Sequence, residues 1–284
     1  MIILVASIKG APGVTTTATA LATAWPQDKR VLLVEADPFG GDLAAWFGVA
    51  PTTGLWSLLA AGRRGLESDA VWEHATTLPT GLPVLYGLAS ADQAVANEAA
   101  WPAVAEALAA LDADVIIDAG RLLPHFAGGI RPLLSLAEVL VVLCSPTLAG
   151  IVHLKTSLPS LTAASSSGRF IVQPTGEKGF SSDEIASTLT INVAPPVPHD
   201  PKGASALSRN AIGWANSKTT LAKWARTNAA ELAASLSGST TTQDSLSIPE
   251  TRDQPLRLSV NEHLHNTEHL HNTVHSDAPT WAAR

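Results

Sequence analysis

The chain has 284 residues, a formal net charge of −7 at pH 7 and a hydrophobic content of 46%. This is enough apolar material for one core of ordinary size, and the acidic balance gives no overall electrostatic reason to bind DNA. No apolar run approaches the ~20 residues that a membrane span needs, and the first five residues show neither the basic n-region nor the cleavage site expected of a signal peptide. The single cysteine, Cys144, excludes a disulfide framework and fits a reducing cytoplasm as a buried core thiol. We therefore expect a cytoplasmic globular protein without a transmembrane segment.

A phosphate-binding loop is the most informative feature of the N-terminal region. An apolar run at residues 2–6 predicts a buried strand, and a helix-like segment follows at residues 17–25. Between them lies a loop made of Lys9, Gly10, Ala11, Pro12, Gly13, Val14, Thr15 and Thr16. A strand, a glycine turn and a helix N-terminus aim several backbone N–H groups at one point, which suits a polyphosphate.

One residue of this loop departs from the usual pattern. Phosphate loops ordinarily end in Gly-Lys-Ser/Thr, where the lysine reaches the outer phosphates and the hydroxyl binds magnesium. Thr15 can hold the metal, but Val14 stands at the lysine position and offers the phosphates no charge. The sequence therefore predicts a loop that holds a nucleotide and is poorly built to cleave one.

Two further apolar runs end in carboxylates. The run at residues 31–34 leads into Glu35 and Asp37, and the run at residues 115–117 leads into Asp118. A carboxylate just past a buried strand, in a sheet that also carries a phosphate loop, is where magnesium and its water are usually positioned. We expect Asp37 and Asp118 to take this role, with turn capping as the alternative for Asp118, and we give Glu35 no chemical role.

The rest of the chain alternates between strand-like and helix-like segments. Further strands are predicted at residues 82–86, 139–144, 170–173 and 191–193. Helices are predicted at residues 101–111, 148–161, 183–189, 205–215 and 220–236. A capping box of Ser181 and Glu184 opens the third of these helices. Strands that are apolar throughout imply a parallel sheet, so we predict a doubly wound, mostly parallel α/β sheet with helices on both faces and ligands beyond the carboxyl ends of its strands.

These motifs resemble those of the ParA/MinD family of P-loop ATPases, and the resemblance covers roughly the first 235 residues in the order of a doubly wound domain. The loop matches the deviant Walker A motif as Lys9-Gly10-x-x-Gly13-x-Thr15-Thr16. Switch I is matched by Glu35-Ala36-Asp37-Pro38-x-Gly40-Gly41, and Walker B by Asp118-x-Gly120. The resemblance implies a P-loop NTPase fold, ATP and Mg²⁺ as cofactors, and a homodimer that forms on nucleotide binding.

The resemblance also implies a role for each matched residue. Lys9 reaches across the dimer to the partner's nucleotide, Asp37 positions the attacking water, and Asp118 supports magnesium beside Thr15. Gln173 ends a predicted strand where this family often presents an asparagine towards the base, and its amide offers the same donor and acceptor. Two alternatives stay open for Lys9, namely a solvated loop lysine and a lysine that contacts the nucleotide of its own chain.

Two functions remain open at this point. In the first, the chain is a nucleotide-gated scaffold, similar to the TadZ/CpaE branch of the family, that positions pilus or secretion machinery, a chromosome or a plasmid. In the second, it is a slow ATPase of chromosome or plasmid partitioning or of division-site placement. Val14 favours the first function, whereas Thr15, Asp37 and Asp118 keep the second open. Either protein would need an unidentified protein partner, through which it could reach the membrane or the cell pole.

The composition of the sequence becomes polar near residue 238. We expect a nucleotide-binding domain at residues 1–238 and a disordered polar tail at residues 239–284. The tail repeats Glu-His-Leu-His-Asn-Thr from residues 262 and 268, so its imidazoles could catch a transition metal, although a duplicated disordered segment is the favoured explanation. DNA is a weakly supported partner through five cations near the end of the domain, Lys202, Arg209, Lys218, Lys223 and Arg226.

Overall fold

The computed structural model describes residues 1–10, 12–122, 130–165, 169–176 and 178–237. The expected domain boundary at residue 238, the polar tail with its histidine repeat, and Ala11 of the phosphate loop lie outside these ranges. These expectations therefore stay predictions.

Seven strands of the described chain form one sheet in the order β3-β4-β2-β5-β1-β6-β7. The strands are β1 Ile2–Ser7, β2 Val31–Glu35, β3 Thr76–Thr77, β4 Pro83–Leu85, β5 Asp114–Arg121, β6 Val139–Cys144 and β7 Phe170–Pro174. Neighbouring strands are parallel except β3 and β4, which pair antiparallel at one edge. The carboxyl ends of β1, β2 and β5 therefore meet at the same side of the sheet.

Helices connect these strands. They are α1 Val14–Thr23, α2 Leu43–Trp46, α3 Leu55–Gly62, α4 Val71–His74, α5 Ala91–Ala96, α6 Trp101–Ala109, α7 Arg131–Leu136, α8 Leu148–Ala164, α9 Ser182–Leu189, α10 Pro201–Ser208 and α11 Thr220–Ser237. Single 3₁₀ turns lie at Ser68–Ala70, Glu98–Ala100 and Trp214–Asn216. Among these described helices, none has the length and apolar character that crossing a bilayer requires.

Both faces of the sheet are buried. Since successive side chains of a strand point to opposite faces, neighbouring residues of one strand belong to different hydrophobic clusters. Ile2 and Leu4 of β1 belong to one hydrophobic cluster, which includes residues of α3, α6, α7, α8 and α9. Ile3 and Val5 belong to a second cluster, which includes residues of α1, α10 and α11. This is the doubly wound, mostly parallel sheet with helices on both faces that the sequence predicts.

The predicted strand at residues 191–193 is wrong. Val193 forms only an isolated bridge with Val172 of β7, and the N–H of Ala194 donates to the Val172 carbonyl at 2.8 Å. Pro195 and Pro196 follow directly, and a proline has no N–H to donate to a neighbouring strand. The segment therefore runs beside β7 without extending the sheet.

The predicted helix at residues 205–215 is also wrong in its bounds. Helix α10 begins four residues earlier, at Pro201, and ends at Ser208. Asn210 has a φ of 52° and Gly213 a φ of 75°, and both values lie in the left-handed region that a right-handed helix cannot contain. The chain therefore leaves the helix and forms a separate 3₁₀ turn at Trp214–Asn216.

One carboxylate joins the starts of two helices near the end of the domain. Asp200 Oδ1 accepts from the N–H of Gly203 at 2.8 Å, in the first turn of α10. Its Oδ2 accepts from the N–H of Leu221 and from the hydroxyl of Thr220, both at 3.0 Å, at the start of α11. Burial raises the pKa of this carboxyl, but the hydrogen bonds together outweigh burial and lower it. Asp200 thus fixes the end of the loop between α9 and α10 against α11.

The structure places Cys144 in the core, as the sequence predicts. Cys144 ends β6, is 4% exposed, and its Sγ donates to the Ser145 carbonyl at 3.2 Å. Burial raises the pKa of the thiol to about 11. The group is therefore a neutral core side chain at neutral pH.

Candidate functional site

The phosphate loop lies between the carboxyl end of β1 and the start of α1. Gly10 and Gly13 adopt left-handed φ values of 76° and 90°, which glycine accepts at no steric cost. Gly13 is the N-cap of α1, and no side chain caps the first N–H groups of this helix. Uncapped N–H groups at a helix N-terminus, preceded by a glycine turn, suit a phosphate.

Val14 belongs to the core and not to the surface of the loop. Its side chain is 5% exposed and packs in the cluster that includes Ile3 and Val5 of β1. Helix α1 also begins at Val14, three residues before its predicted start. The position that carries a phosphate-binding lysine in ordinary loops is therefore an aliphatic packing position here.

Asp118 presents an unpaired oxygen next to the loop. It lies in β5 beside the end of β1, where its Oδ1 accepts from the N–H of Gly120 at 3.0 Å. Its Oδ2 is buried and makes no hydrogen bond of ordinary geometry within the described residues. Burial, with smaller contributions from the charges of Glu35 and Asp37, raises the pKa of Asp118 to about 7 in spite of the lowering hydrogen bonds from the Thr15 hydroxyl and the Gly120 N–H. Thr15 and Asp118, the two predicted metal residues, thus lie together.

Asp37 lies close to the same carboxylate. Its Oδ1 accepts from the N–H of Phe39 at 2.8 Å, and its Oδ2 lies against Gly120, where an added Cβ would overlap it. Gly120 also has a φ of 55°, so a glycine is needed there for two reasons. Burial raises the pKa of Asp37, and the charge of Asp42 adds to that effect. The structure therefore brings Asp37, Asp118 and Thr15 to one side of the sheet.

Glu35 fixes the segment that carries Asp37, which is a structural role and not a chemical one. Its Oε1 accepts from the N–H groups of Asp42 at 2.6 Å and Leu43 at 2.8 Å. Its Oε2 accepts from the N–H of Gly87 at 2.9 Å. Burial raises the pKa of Glu35 in spite of these bonds. The carboxylate is 1% exposed and ties the loop after β2 to the segment after β4.

Gly41 is the sequence signal that could have revealed this role. A Cβ at Gly41 would overlap the Glu35 carboxylate, so the loop can approach the acid only because residue 41 has no side chain. The two residues belong to the same motif, but the spacing alone does not say that they touch.

Lys9 contacts a residue that sequence reasoning missed. Its Nζ lies 2.7 Å from Nε2 of His153, which lies on α8, and both side chains are exposed. This contact ties Lys9 to its own chain in the single protomer. Sequence offers no signal for it, because the two residues are 144 positions apart.

Gln173 lies away from the phosphate loop. Its Nε2 donates to the Pro195 carbonyl, and the residue lines a groove beside α11 together with Trp224 and Asn228. A different groove, of about 310 Å³, adjoins the loop and is lined by residues such as Thr16 and His199. The structure therefore does not bring Gln173 together with the other predicted site residues.

The oxygen atoms available at this site fit a magnesium ion that would be coordinated jointly by the protein and by a phosphate group. In the part of the chain that the structure describes, no three His, Cys, Asp or Glu side chains converge as a metal cage. Mg²⁺ keeps several waters and commonly takes one or two protein oxygens plus phosphate oxygens. The Thr15 hydroxyl and the unpaired Asp118 Oδ2 supply such oxygens.

Comparison with known proteins gives matches in structure but not in sequence. No protein-family model and no curated protein matches the chain. A ParA family ATPase from Chlorobium tepidum TLS is 18% identical with a TM-score of 0.69, covering 81% of this chain and 98% of its own. MinD complexed with Mg-ADP from Pyrococcus horikoshii OT3 is 21% identical with a TM-score of 0.62, covering 84% and 97%. An ATP complex of McdA from Cyanothece is 17% identical with a TM-score of 0.62, covering 82% and 96%.

These likenesses establish the class of fold. The chain has the fold of these ParA and MinD proteins over about four fifths of its length. The prediction from the three sequence motifs is confirmed at the level of fold.

We predict that Glu35→Ala destabilises the protein by about 3 kcal/mol, because it leaves three backbone N–H groups without their acceptor. The free energy of unfolding is measured by urea titration of the variant and the native chain. Glu67→Ala, which removes an exposed glutamate from a loop, is the matched control and is expected to change stability by less than about 0.5 kcal/mol. Equal stability of the two variants would contradict a structural role for Glu35.

Proposed function

We propose that this chain is a ParA/MinD-family protein that binds ATP with Mg²⁺ and positions a cellular cargo through nucleotide-dependent dimerisation, with weak or absent hydrolysis. The cargo would be pilus or secretion machinery, a chromosome or a plasmid, reached through a protein partner. The protein would act in the cytoplasm, or at the membrane or cell pole through that partner. The observation that carries the proposal is a phosphate loop with Thr15 and Asp118 side by side and Val14 buried in the core.

Nucleotide binding is supported by groups of the site that do not depend on a lysine at position 14. The loop offers uncapped N–H groups and the positive end of the α1 dipole to the phosphates. Thr15 and Asp118 would hold Mg²⁺, which would supply positive charge to neutralise the phosphates. The groove of about 310 Å³ beside Thr16 continues from the loop and would take the nucleoside. Neighbours solved with Mg-ADP and with ATP fit this proposal.

Weak hydrolysis rests on the charge balance of the site. The buried carboxyl groups of Glu35 and Asp118 and the half-buried carboxyl group of Asp37 lie near the proposed place of the triphosphate, and the charges of Glu35 and Asp37 contribute to the raised pKa of Asp118. A lysine at position 14 would offset developing phosphate charge, and Val14 cannot. Loss of one charge-stabilising group from a preorganised site commonly costs about 3 kcal/mol, or about a hundredfold in rate.

A slow but genuine ATPase is the second candidate. The observation in its favour is Asp37, which Gly120 and the Phe39 N–H place close to Asp118. An acid at this point could position the attacking water. DNA contact has less support, because Arg226, one of the five cations considered, donates to the carbonyls of Ala215 and Ser217 within the domain.

We predict that native protein binds ATP only in the presence of Mg²⁺ and that Thr15→Val weakens this binding at least about tenfold, because a metal ligand is lost. Isothermal titration calorimetry with and without Mg²⁺ measures both effects. Thr23→Val is the matched control, since Thr23 lies at the other end of α1 and donates only to the Thr19 carbonyl at 2.7 Å. Equal affinity of the two variants, or no binding by native protein, would refute the proposed site.

We predict that ATP with Mg²⁺ converts the native protein from monomer to homodimer and that Lys9→Ala stays monomeric. The Lys9 ammonium is exposed, so it can leave His153 and supply the triphosphate of a partner with the cation that Val14 does not provide. Linked binding and dimerisation follow by mass action. Light scattering at saturating ATP measures the mass.

His153→Ala is the control, and it is expected to dimerise like native protein because it removes only the contact within one chain. A native protein that stays monomeric at saturating ATP would assign Lys9 to its own nucleotide and would contradict dimerisation through this residue.

A further inference from the structure

A second pocket lies at the opposite end of the sheet from the candidate site. It has a volume of about 480 Å³ and is lined by Val31 and Pro83, where β2 and β4 begin, and by Thr23, where α1 ends. Helix α1 starts at the phosphate loop and has ten residues, so it spans about 15 Å between the two sites. The pocket therefore does not belong to the nucleotide site.

The charge of this pocket contrasts with the acidic character of the chain. Lys29 and Arg30 line it, and no aspartate or glutamate is among the described residues that do so. The Lys29 ammonium donates to the Ala233 carbonyl at 3.0 Å, a bond that leaves its positive charge in place. Asp114, which lies behind the wall, accepts from the indole N–H of Trp25 at 2.9 Å. A chain of net charge −7 thus carries a local positive pocket.

Arg30 is held in a geometry that suits an oxyanion. Its guanidinium carbon lies 4.3 Å from the centroid of the Trp72 ring, a cation–π contact that holds the side chain beside the pocket. Arg30 is exposed and forms no salt bridge with any residue that the structure describes. A guanidinium in this state offers a fork of N–H donors that matches a carboxylate or a phosphate.

Part of the pocket wall is apolar. Trp72, Pro26 and Pro83 line it, next to the exposed polar side chains of Gln27 and Thr77. Sites for small molecules are typically clefts of roughly this volume, with mostly apolar walls and a few polar groups that orient the ligand. An inorganic ion alone would leave these walls in contact with water.

We propose that this pocket binds a small molecule in which a carboxylate or a phosphate is attached to a planar apolar body. Arg30 takes the oxyanion, Trp72 and the two prolines take the planar body, and Lys29 adds positive charge. Binding needs neither the nucleotide nor a dimer, so it stands apart from the function proposed above.

The test is a titration of the full chain with benzoate and with phenyl phosphate, followed by NMR of the tryptophan indole N–H signals. Benzamide, which keeps the ring and lacks the charge, is the matched ligand control. Trp72→Phe identifies the Trp72 signal by its loss. We expect this signal to shift in a saturable way with one or both anions, and the tighter anion tells whether the site prefers a carboxylate or a phosphate.

Arg30→Gln is expected to weaken binding at least tenfold without lowering the melting temperature, because Arg30 is exposed. Arg63→Gln is the control variant, since Arg63 is an exposed arginine that donates to Ala96 and Asn97 elsewhere on the surface. No saturable shift of the Trp72 signal, equal binding of benzamide, or equal affinity of Arg30→Gln and Arg63→Gln would each overturn the proposal.

Discussion

The candidate site depends on three neighbouring carboxyl groups, two of them buried, that no described basic side chain pairs with. Glu35, Asp37 and Asp118 come to the carboxyl ends of β2 and β5, and none of them forms a salt bridge within the described residues. Burying an unpaired carboxylate is costly unless hydrogen bonds or a metal compensate. The arrangement of backbone N–H groups around these acids therefore decides which acid is structural and which is left for a ligand.

The three acids differ in how fully they are satisfied. Glu35 accepts three backbone N–H bonds and both of its oxygens are used. Asp37 and Asp118 each accept only one backbone N–H bond, from Phe39 and from Gly120. The second oxygen of Asp118, Oδ2, is buried and makes no hydrogen bond of ordinary geometry within the described residues. A metal ion would satisfy the unpaired Oδ2 of Asp118. Because Mg²⁺ commonly takes only one or two protein oxygens together with phosphate oxygens, these residues fit Mg²⁺ better than a metal held by protein ligands alone.

Much of the fold could be predicted from the sequence, because central parallel strands are apolar on both faces and need no tertiary information to be recognised. The strand β3 could not, since it has two residues and forms only by pairing with β4. The errors near residues 191–215 arose where prolines and left-handed residues override an apolar pattern. The short helices α2 to α5 and α7, of four to eight residues, likewise depend on packing and not on their own propensity.

The candidate site could likewise be predicted from the sequence only in part. Thr15, Asp37 and Asp118 were predictable because motif order and strand ends place them together. The bond between Glu35 and the Gly87 N–H, the Lys9–His153 contact and the Arg30–Trp72 contact join residues that are distant in sequence, so no local pattern signals them. The prediction for Gln173 at the base depends in the same way on the course of the chain after β7, where its amide bonds to Pro195.

The central claim is that the site binds ATP and lacks the charge to cleave it, and the fate of the bound nucleotide tests this most directly. Native protein in excess over ATP with Mg²⁺ is quenched over time and the fraction of ADP is measured, beside Val14→Lys and, as a control of similar length without charge, Val14→Met. The melting temperatures of both variants are checked, since Val14 packs in the core. The account predicts that native protein and Val14→Met retain ATP while Val14→Lys converts it about a hundredfold faster. Conversion by native protein as fast as by Val14→Lys, and abolished by Asp37→Ala, would contradict it.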